Sequence, residues 1–288
     1  MFNSYKLKNN HIAIACDDHF VNHAIAMINS LYNSNSEFTF HFHILDSNIM
    51  WKNKLKLIIF FIRIGFKFSF YKVDYSKIRN APVSDHISLA SYNRIFLSSL
   101  INQSIDKIIY LDCDIIITGS IKELINCDIS NHYLAASREI IDLSDQKRLN
   151  LKINDYYFNA GVMIINLKKW REDKVENQLI NFICSSSEKI KYWDQDVLNY
   201  CFKNKWLRLN PNLNLTHFYF FPDFFTPSYF ELNDEKYNEY VSNPIVIHFT
   251  SRNKPWMPRC NHPKRDLYHK YLVPYSKLIF GKLKNNAV

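Results

Sequence analysis

The sequence has 288 residues, of which 47% are hydrophobic and 16% aromatic, so it can bury a full core in one large domain. Its four glycines, with no G-x-G-x-x-G or G-K-[ST] motif, argue against a glycine-rich dinucleotide site or a P-loop. The net charge of +9 is unevenly placed, because nine Lys or Arg and a single acidic residue occur from Arg252 onward, which leaves the preceding chain nearly neutral.

The apolar periodicity predicts strands that alternate with helices. This order, with short links, indicates an α/β fold with a mostly parallel sheet and helices on both faces. We expect one main domain at 1–257 and an extension at 258–288, with an irregular stretch at 210–243. The predicted strands are 11–16, 38–45, 66 to near 74, the run into Asp112 and Asp114, 133–137, 161–166 and 244–249, and the predicted helices are 20–33, 48–64, about 88–101, 168–186 and 193–203.

The compartment of a protein can show in cysteine spacing, a signal peptide or a membrane-spanning segment, and this sequence contains no clear example of any of the three. The six cysteines form no C-x-x-C pair, and the first ten residues lack the apolar segment of a signal peptide. The longest apolar stretch, Leu57 to Phe66, is interrupted by Arg63 and falls short of the roughly 20 residues that a membrane-spanning helix needs. We therefore expect a reduced, cytoplasmic protein.

Asp112 and Asp114 directly follow the apolar run from Ile108 to Leu111. Such a run predicts a buried strand, and the carboxyl end of a strand in an open α/β sheet faces the ligand crevice. Two carboxylates a few Å apart resist joint ionisation, so a divalent cation is their natural counter-charge. Because Mg²⁺ and Mn²⁺ complete their coordination with substrate phosphates, the pair predicts a metal–diphosphate site.

Seven segments occur in order over about residues 11 to 257. They are Ala15–Asp18, Ser91–Arg94, Tyr110–Asp114, Tyr157–Val162, Asn166–Arg171, Trp193–Asp196, and His248 with Lys254–Trp256. Together they resemble glycosyltransferase family 8, the retaining transferases that include the glycogenins and bacterial lipooligosaccharide galactosyl- and glucosyltransferases. The likeness is strongest to the galactosyltransferase branch. It implies a GT-A-like nucleotide-diphospho-sugar transferase fold.

The resemblance also implies an activity and a set of site residues. A hexose would move from a UDP-sugar, with galactose ahead of glucose, to a saccharide acceptor such as lipopolysaccharide core. The metal ligands would be Asp112, Asp114 and His248, and the imidazole suits Mn²⁺ better than Mg²⁺, which remains the alternative. The catalytic residues would be Gln195 and Asp194, and the donor-binding residues would be Ala15, Asp17, Arg94, Asp112, Cys113, Glu139, Asn159, Ala160, Ser251 and Lys254.

In that scheme, Gln195 lies beneath the anomeric carbon and Asp194 holds the sugar hydroxyls. Glutamine is a poor nucleophile, which favours a front-face displacement in which the acceptor attacks from the side that UDP leaves. Several of the implied residues also have plain structural roles open to them. Asp17 suits a helix N-cap, Arg94 could pair with a buried acid, and Lys254 could be a solvated loop residue.

Two positions depart from the family pattern. Ser251 stands where relatives have glycine, and a left-handed φ there would cost about 1 kcal/mol or more. Glu139 stands where relatives often carry Asp near the sugar, and its extra methylene shifts the carboxylate by about 1.5 Å, which bears on donor or acceptor choice.

The C-terminal extension combines basic side chains with aromatic and aliphatic ones, and Pro274 predicts a division into two short helices. This pattern favours an anionic membrane surface at the inner face of the cytoplasmic membrane, at about 1 kcal/mol per basic residue. The alternative is a tail packed on the body with a solvated basic face. No motif supports nucleic-acid binding. The residues concerned are Lys264, Arg265, Leu267, Tyr268, Lys270, Tyr271, Leu272, Tyr275, Lys277, Leu278, Ile279, Phe280, Lys282 and Lys284.

Three rival functions stay open on the sequence alone. An aspartate-nucleophile phosphohydrolase also places D-x-D at a strand end, but Ile116 occupies the position where it needs Thr. A non-catalytic sugar-nucleotide-binding protein is suggested by Ser251. A self-glucosylating primer would need a tyrosine acceptor, and the chain has 18 tyrosines.

Overall fold

The structure is a computed structural model that describes residues 10–83, 89–152, 155–223 and 225–280. The start of the helix predicted at about 88, and Lys282 and Lys284 of the tail, lie outside the described residues.

The main sheet has seven strands in the order β3-β2-β1-β4-β7-β6-β8. All neighbours are parallel except β7, which runs antiparallel to both β4 and β6. A second sheet of three strands has the order β5-β10-β9. The strands are β1 (Asn10–Asp17), β2 (Phe40–Ser47), β3 (Lys67–Lys72), β4 (Lys107–Leu111), β5 (Ile115–Ile117), β6 (Leu134–Glu139), β7 (Tyr157–Asn166), β8 (Trp206–Arg208), β9 (Leu215–Thr216) and β10 (Val246–His248).

Helices cover the two faces of the main sheet over separate apolar clusters, one beneath the first two long helices and one beneath the helices that follow β7. The mostly parallel α/β fold predicted from the sequence is thereby confirmed. The helices are α1 (Val21–Ser34), α2 (Trp51–Ile64), α3 (Leu97–Leu100), α4 (Lys122–Asn126), α5 (Leu143–Arg148), α6 (Leu167–Glu172), α7 (Val175–Ser185), α8 (Trp193–Cys201), α9 (Asp234–Ser242), α10 (Arg265–Tyr271) and α11 (Tyr275–Phe280).

Three predicted elements differ from the structure. The single helix predicted at 168–186 is two helices, because Lys174 adopts a left-handed φ of 50° between α6 and α7. The stretch 89–96 of the helix predicted at about 88–101 is a 3₁₀ helix, and only α3 is α-helical. The stretch at 210–243 is not wholly irregular, since it contains β9 and the helix α9. The Asn233 side chain caps α9 by accepting from the backbone N–H of Lys236 at 2.8 Å.

The C-terminal segment forms two short helices on either side of Pro274, as predicted. The first, α10, packs on α1, where Asn29 Nδ2 donates to the carbonyl of Tyr271 at 3.0 Å. The second, α11, packs on α2, where Arg63 donates to the carbonyl of Lys277 at 3.0 Å. Within the described residues, no helix is both long and apolar enough to cross a membrane.

Candidate active site

The site lies where β4 ends and the small sheet begins. Asp112 follows β4, and its backbone N–H donates to the Gly161 carbonyl at 2.8 Å. Asp114 precedes β5, and its carbonyl accepts from the backbone N–H of Phe249 at 3.1 Å. Because β5 and β10 pair antiparallel, with His248 opposite Ile115, the histidine is carried to the two aspartates.

Asp112, Asp114 and His248 form one compact set of donor atoms. His248 Nε2 lies 3.2 Å from Oδ1 of Asp114 and 3.7 Å from Oδ2 of Asp112. One ligand atom from each residue lies within 4.8 Å of the others. Two carboxylate oxygens and one imidazole nitrogen are donors that suit Mn²⁺.

A hydrogen-bond relay orients the His248 ring. Asn159 Oδ1 must accept, because the backbone N–H of Gly161 donates to it at 2.9 Å. Asn214 Nδ2 donates to the same oxygen at 2.9 Å, which turns Asn214 Oδ1 toward His248 Nδ1 at 3.0 Å. The His248 proton therefore sits on Nδ1, and the lone pair on Nε2 faces the carboxylates, as a metal ligand requires.

The absence of a side chain at Gly161 leaves the space that the His248 and Asp112 side chains occupy. A Cβ atom at that position would lie 2.1 Å from His248 Cε1 and 2.8 Å from Oδ2 of Asp112. Since β7 passes this close to His248 and Asp112, only glycine fits without moving them. The donor set and this close approach together match a divalent-cation site.

Lys254 lies at the edge of the same set. Its Nζ is 2.6 Å from Oδ2 of Asp114 and also donates to the Phe249 carbonyl at 2.6 Å. Burial alone would raise the pKa of Asp114, but the Lys254 ammonium holds that pKa well below its usual range. Asp114 is therefore a carboxylate at neutral pH, and the Lys254 ammonium lies against it in the lining of the cavity described below.

Arg94 links the Asp112 carboxylate to the segment that the sequence predicts to be catalytic. Its guanidinium lies 3.1 Å from Oδ1 of Asp112 and 2.6 Å from Oδ2 of Asp194, stacks over the Tyr110 ring, and donates to the Ala160 carbonyl. Burial raises the pKa of Asp194 to about 7, with Arg94 opposing the shift. The role of Arg94 as partner of a buried acid, left open by the sequence, is thus observed.

The segment from Trp193 to Asp196 opens α8 and has two distinct carboxylates. Asp196 is buried and accepts from Tyr157 Oη at 2.9 Å and from the backbone N–H groups of Lys191 and Tyr192, each at 2.7 Å. It anchors the turn, whereas Asp194 and Gln195 face the cavity. Trp193 has a left-handed φ of 47°, a strained conformation for such a residue, and no sequence pattern predicts it.

A cavity of about 730 Å³ collects most of the predicted residues, a size that suits a small-molecule ligand. Glu139 and Asn159 meet in its wall, where Asn159 Nδ2 donates to Oε2 of Glu139 at 2.9 Å, and burial raises the pKa of Glu139. The predicted site residues that line it are Arg94, Asp112, Asp114, Glu139, Asn159, Ala160, Asp194, Gln195, His248, Ser251 and Lys254.

Three predicted donor-binding residues lie beside this cavity rather than in its described lining, namely Ala15, Asp17 and Cys113. Cys113 is buried and its thiol donates to the Ala15 carbonyl at 3.2 Å. Asp17 Oδ1 accepts from the backbone N–H groups of His19 and Phe20, both at 3.0 Å, so it closes the turn that precedes α1; the N-cap residue of α1 itself is Phe20. Ser251, by contrast, does line the cavity. It is not among the described residues with positive φ, so the loop carries no left-handed strain at that position.

Comparison with known proteins then decides the class of the molecule. The sequence profile of glycosyl transferase family 8 matches residues 11–260. The chain belongs to glycosyl transferase family 8. Its geometry therefore serves a glycosyltransferase, and the resemblance seen in the ordered motifs is confirmed.

The similar proteins match this chain over nearly its whole length. General stress protein A of Bacillus subtilis is 33% identical over 266 residues, which cover 91% of this chain and 92% of that protein. A lipopolysaccharide 1,2-glucosyltransferase of Escherichia coli is 26% identical over 280 residues, covering 91% and 80%. The solved galactosyltransferase LgtC, in complex with donor and acceptor sugar analogues, is 25% identical, with a TM-score of 0.81 over 93% of this chain and 98% of that one.

Sequence reasoning missed the residues that support the ligands. Asn214 lies in a stretch predicted to be irregular, and no local pattern ties it to His248, which is 34 positions away. Asp196 was part of a motif, but its structural role depends on Tyr157 and Arg148, which the fold brings from other elements.

Proposed function

We propose that this glycosyltransferase is a retaining, metal-dependent enzyme that moves a hexose from a UDP-hexose to a saccharide acceptor. The observation that carries the proposal is the convergence of Asp112, Asp114 and His248 in the cavity that also contains Asp194 and Gln195. A cation-binding set at the wall of a sugar-sized cavity is what transfer from a nucleotide diphosphate requires.

Asp112, Asp114 and His248 would hold the cation, with Mn²⁺ favoured over Mg²⁺ because one donor is an imidazole nitrogen. When bound, such an ion supplies positive charge that stabilises the diphosphate as a leaving group. Lys254 contributes a second positive charge from the protein itself. Ala15, Asp17 and Cys113 lie beside this end of the site, and we assign them to the nucleoside part of the donor.

Gln195, Asp194, Glu139, Asn159 and Ala160 would receive the sugar. Asp194 and Glu139 accept hydrogen bonds from its hydroxyls, and the Gln195 carbonyl stabilises positive charge at the anomeric carbon by its dipole. The acceptor hydroxyl attacks from the side that UDP leaves, and an oxygen of the β-phosphate takes its proton. This front-face course retains the anomeric configuration without a protein nucleophile.

For the donor sugar, we place UDP-galactose ahead of UDP-glucose, and for the acceptor we favour a lipopolysaccharide-type saccharide. The likeness to the galactosyltransferase LgtC supports the first choice, and the lipopolysaccharide 1,2-glucosyltransferase relatives support the second while keeping glucose as the alternative.

We also propose that the enzyme works on an anionic membrane surface, where such acceptors reside. Helix α2 has one buried face and one apolar stripe that faces solvent, in which Trp51 and Ile62 are 70% and 68% exposed. Leu55 and Ile58 complete the stripe at helical spacing. Basic side chains flank it, and α11 of the C-terminal segment lies alongside, a composition that suits an interfacial helix. These basic residues are Lys52, Lys56, Arg63 and Lys277.

Hydrolysis and transfer from a panel of UDP-sugars with Mn²⁺, followed by NMR of the product anomer, test the proposed activity. Preference for UDP-galactose or UDP-glucose with a retained anomeric configuration is expected. Turnover of a generic phosphomonoester instead would favour the phosphohydrolase, and tight donor binding without turnover would favour a non-catalytic binding protein. Incorporation of label into the protein alone would point to a self-glucosylating primer.

A further inference from the structure

Three histidines meet on the main sheet, apart from the donor cavity. His11 lies on β1 opposite His41 of β2, and His43 lies two residues farther along β2, so their side chains share one face. One ring nitrogen from each lies within 4.8 Å of the others. His43 is buried, and His11 and His41 are partly exposed, so the cluster is open to solvent on one side.

Two of the rings face each other through nitrogen atoms. His11 Nδ1 lies 3.0 Å from His43 Nε2. Tetrahedral zinc with Zn–N bonds of about 2.0–2.1 Å holds its nitrogen ligands about 3.3 Å apart, so these two rings need to separate only slightly. Either ring can supply the proton of this contact, and with the protons on His11 Nε2 and His43 Nδ1 both lone pairs aim at one point.

Two of the remaining ring nitrogens have partners on β3. His43 Nδ1 lies 2.9 Å from Tyr71 Oη, and His41 Nε2 lies 2.9 Å from Ser69 Oγ. Hydrogen bonds of this kind on the far side of an imidazole set its tautomer and orientation in metal sites. The His41 ring is stacked on His43 with centroids 4.4 Å apart, so it must turn to direct its Nδ1 lone pair to the shared point.

The cluster is also in the right charge state. Burial lowers the pKa of His43 to about 3, with the neighbouring His41 and His11 adding to the shift, and burial likewise lowers the pKa of His11 and of His41. Neutral imidazoles are the form that binds metal, so no proton has to be removed near neutral pH.

From this geometry we propose that His11, His41 and His43 bind a transition-metal ion of the Zn²⁺ class, with water as the remaining ligand. Three imidazole nitrogens select Zn²⁺, Ni²⁺ or Cu²⁺ over Mn²⁺ and Mg²⁺, whereas the two-carboxylate set at Asp112 and Asp114 suits the harder ions. The site is structural in character, since it ties β1 to β2 and lies outside the donor cavity. It does not depend on the proposed donor or acceptor.

Zn²⁺ titration of the chelator-stripped full chain, by calorimetry with Mn²⁺ present throughout, tests this proposal. We expect Zn²⁺ to bind the wild type and to bind His11→Ala and His41→Ala at least about 100-fold more weakly, since each lacks one of three ligands. Both variants keep the buried His43, so folding is preserved and circular dichroism checks it. His132→Ala, which removes a partly exposed histidine elsewhere, is the matched control and should bind as the wild type does.

A second measurement separates this site from the donor cavity. In a His248→Ala background, Zn²⁺ should still raise the melting temperature, and that rise should vanish when His11→Ala is added. Zn²⁺ affinity and stoichiometry that are unchanged in both His11→Ala and His41→Ala would overturn the proposal. Loss of the Zn²⁺ effect in His248→Ala alone would do the same, because it would assign the ion to the donor cavity.

Discussion

The backbone N–H of Ala160 donates a hydrogen bond of 2.9 Å to Oε1 of Gln195. This bond holds the side-chain carbonyl in the wall of the cavity, where its dipole is preorganised and needs no reorientation during the reaction. The Ala160 carbonyl also accepts a hydrogen bond from the Arg94 guanidinium, so Ala160 connects the ion pairs of Arg94 to Gln195.

Gln195→Ala should therefore lower kcat by about 10²–10³-fold, the usual loss when one preorganised electrostatic group is removed. Affinity for the donor should change little, because the residues proposed to bind the nucleotide lie elsewhere in the site. Steady-state kinetics and UDP-sugar calorimetry check the two quantities. Gln178→Ala, on the exposed face of α7, is the control, and an equal loss of turnover and donor binding would refute this role for Gln195.

Asn214→Ala should weaken Mn²⁺ binding by about 10–100-fold, as removal of an outer partner of a metal-ligating histidine does elsewhere. The physical reason is that His248 Nδ1 loses the acceptor that keeps its Nε2 lone pair toward the carboxylates. Mn²⁺ titration followed by electron paramagnetic resonance measures the change. Asn233→Ala removes the cap of α9 and should reduce stability while leaving Mn²⁺ affinity as it is.

Gly161→Ala should abolish Mn²⁺ binding and transfer, since its Cβ would overlap His248 and Asp112. The comparison is Gly119→Ala, whose Cβ would meet the Ile245 side chain at 3.2 Å. A small shift of Ile245 relieves that contact, so activity should persist. Equal Mn²⁺ affinity in the two variants would show that β7 does not define the space around the ligands.

The double variant Trp51→Ser, Ile62→Ser should bind anionic phospholipid vesicles at least about tenfold more weakly, since each large apolar side chain that leaves water contributes about 1.5–3 kcal/mol. Vesicle co-sedimentation at several salt concentrations measures this. Leu143→Ser removes a side chain of similar exposure, 65%, from α5 and serves as the control. Vesicle binding by the double variant at the wild-type level would remove α2 from the proposed membrane surface.

The order and type of the main elements could be predicted because β1, β2 and β4 are continuous or alternating apolar runs with sharp ends. The sequence also predicts a helix near α2, which Gly65 ends in a left-handed conformation. Local periodicity does not reveal its exposed stripe, since both faces of α2 carry apolar residues. The helix break at Lys174 depends on one backbone angle that no composition rule signals.

The donor site was predictable only in part. Asp112 and Asp114 stand out because two acids follow a buried strand, but their proximity to His248 depends on the pairing of β5 with β10, which are far apart in the chain. The role of His248 therefore came from resemblance to the family. Asn214 and the histidine cluster went unnoticed, because three-dimensional neighbours from different strands leave no local pattern.

The affinity of the wild type for UDP, measured by calorimetry with Mn²⁺ and again with excess chelator, tests whether a cation at Asp112, Asp114 and His248 holds the nucleotide. We expect binding with Mn²⁺ to be at least about 100-fold tighter, because the cation joins the diphosphate to the carboxylates. That dependence should disappear in Asp112→Asn, Asp114→Asn and His248→Ala. Equal affinity in chelator, or Mn²⁺ dependence that survives in all three variants, would contradict the metal site on which the proposed function depends.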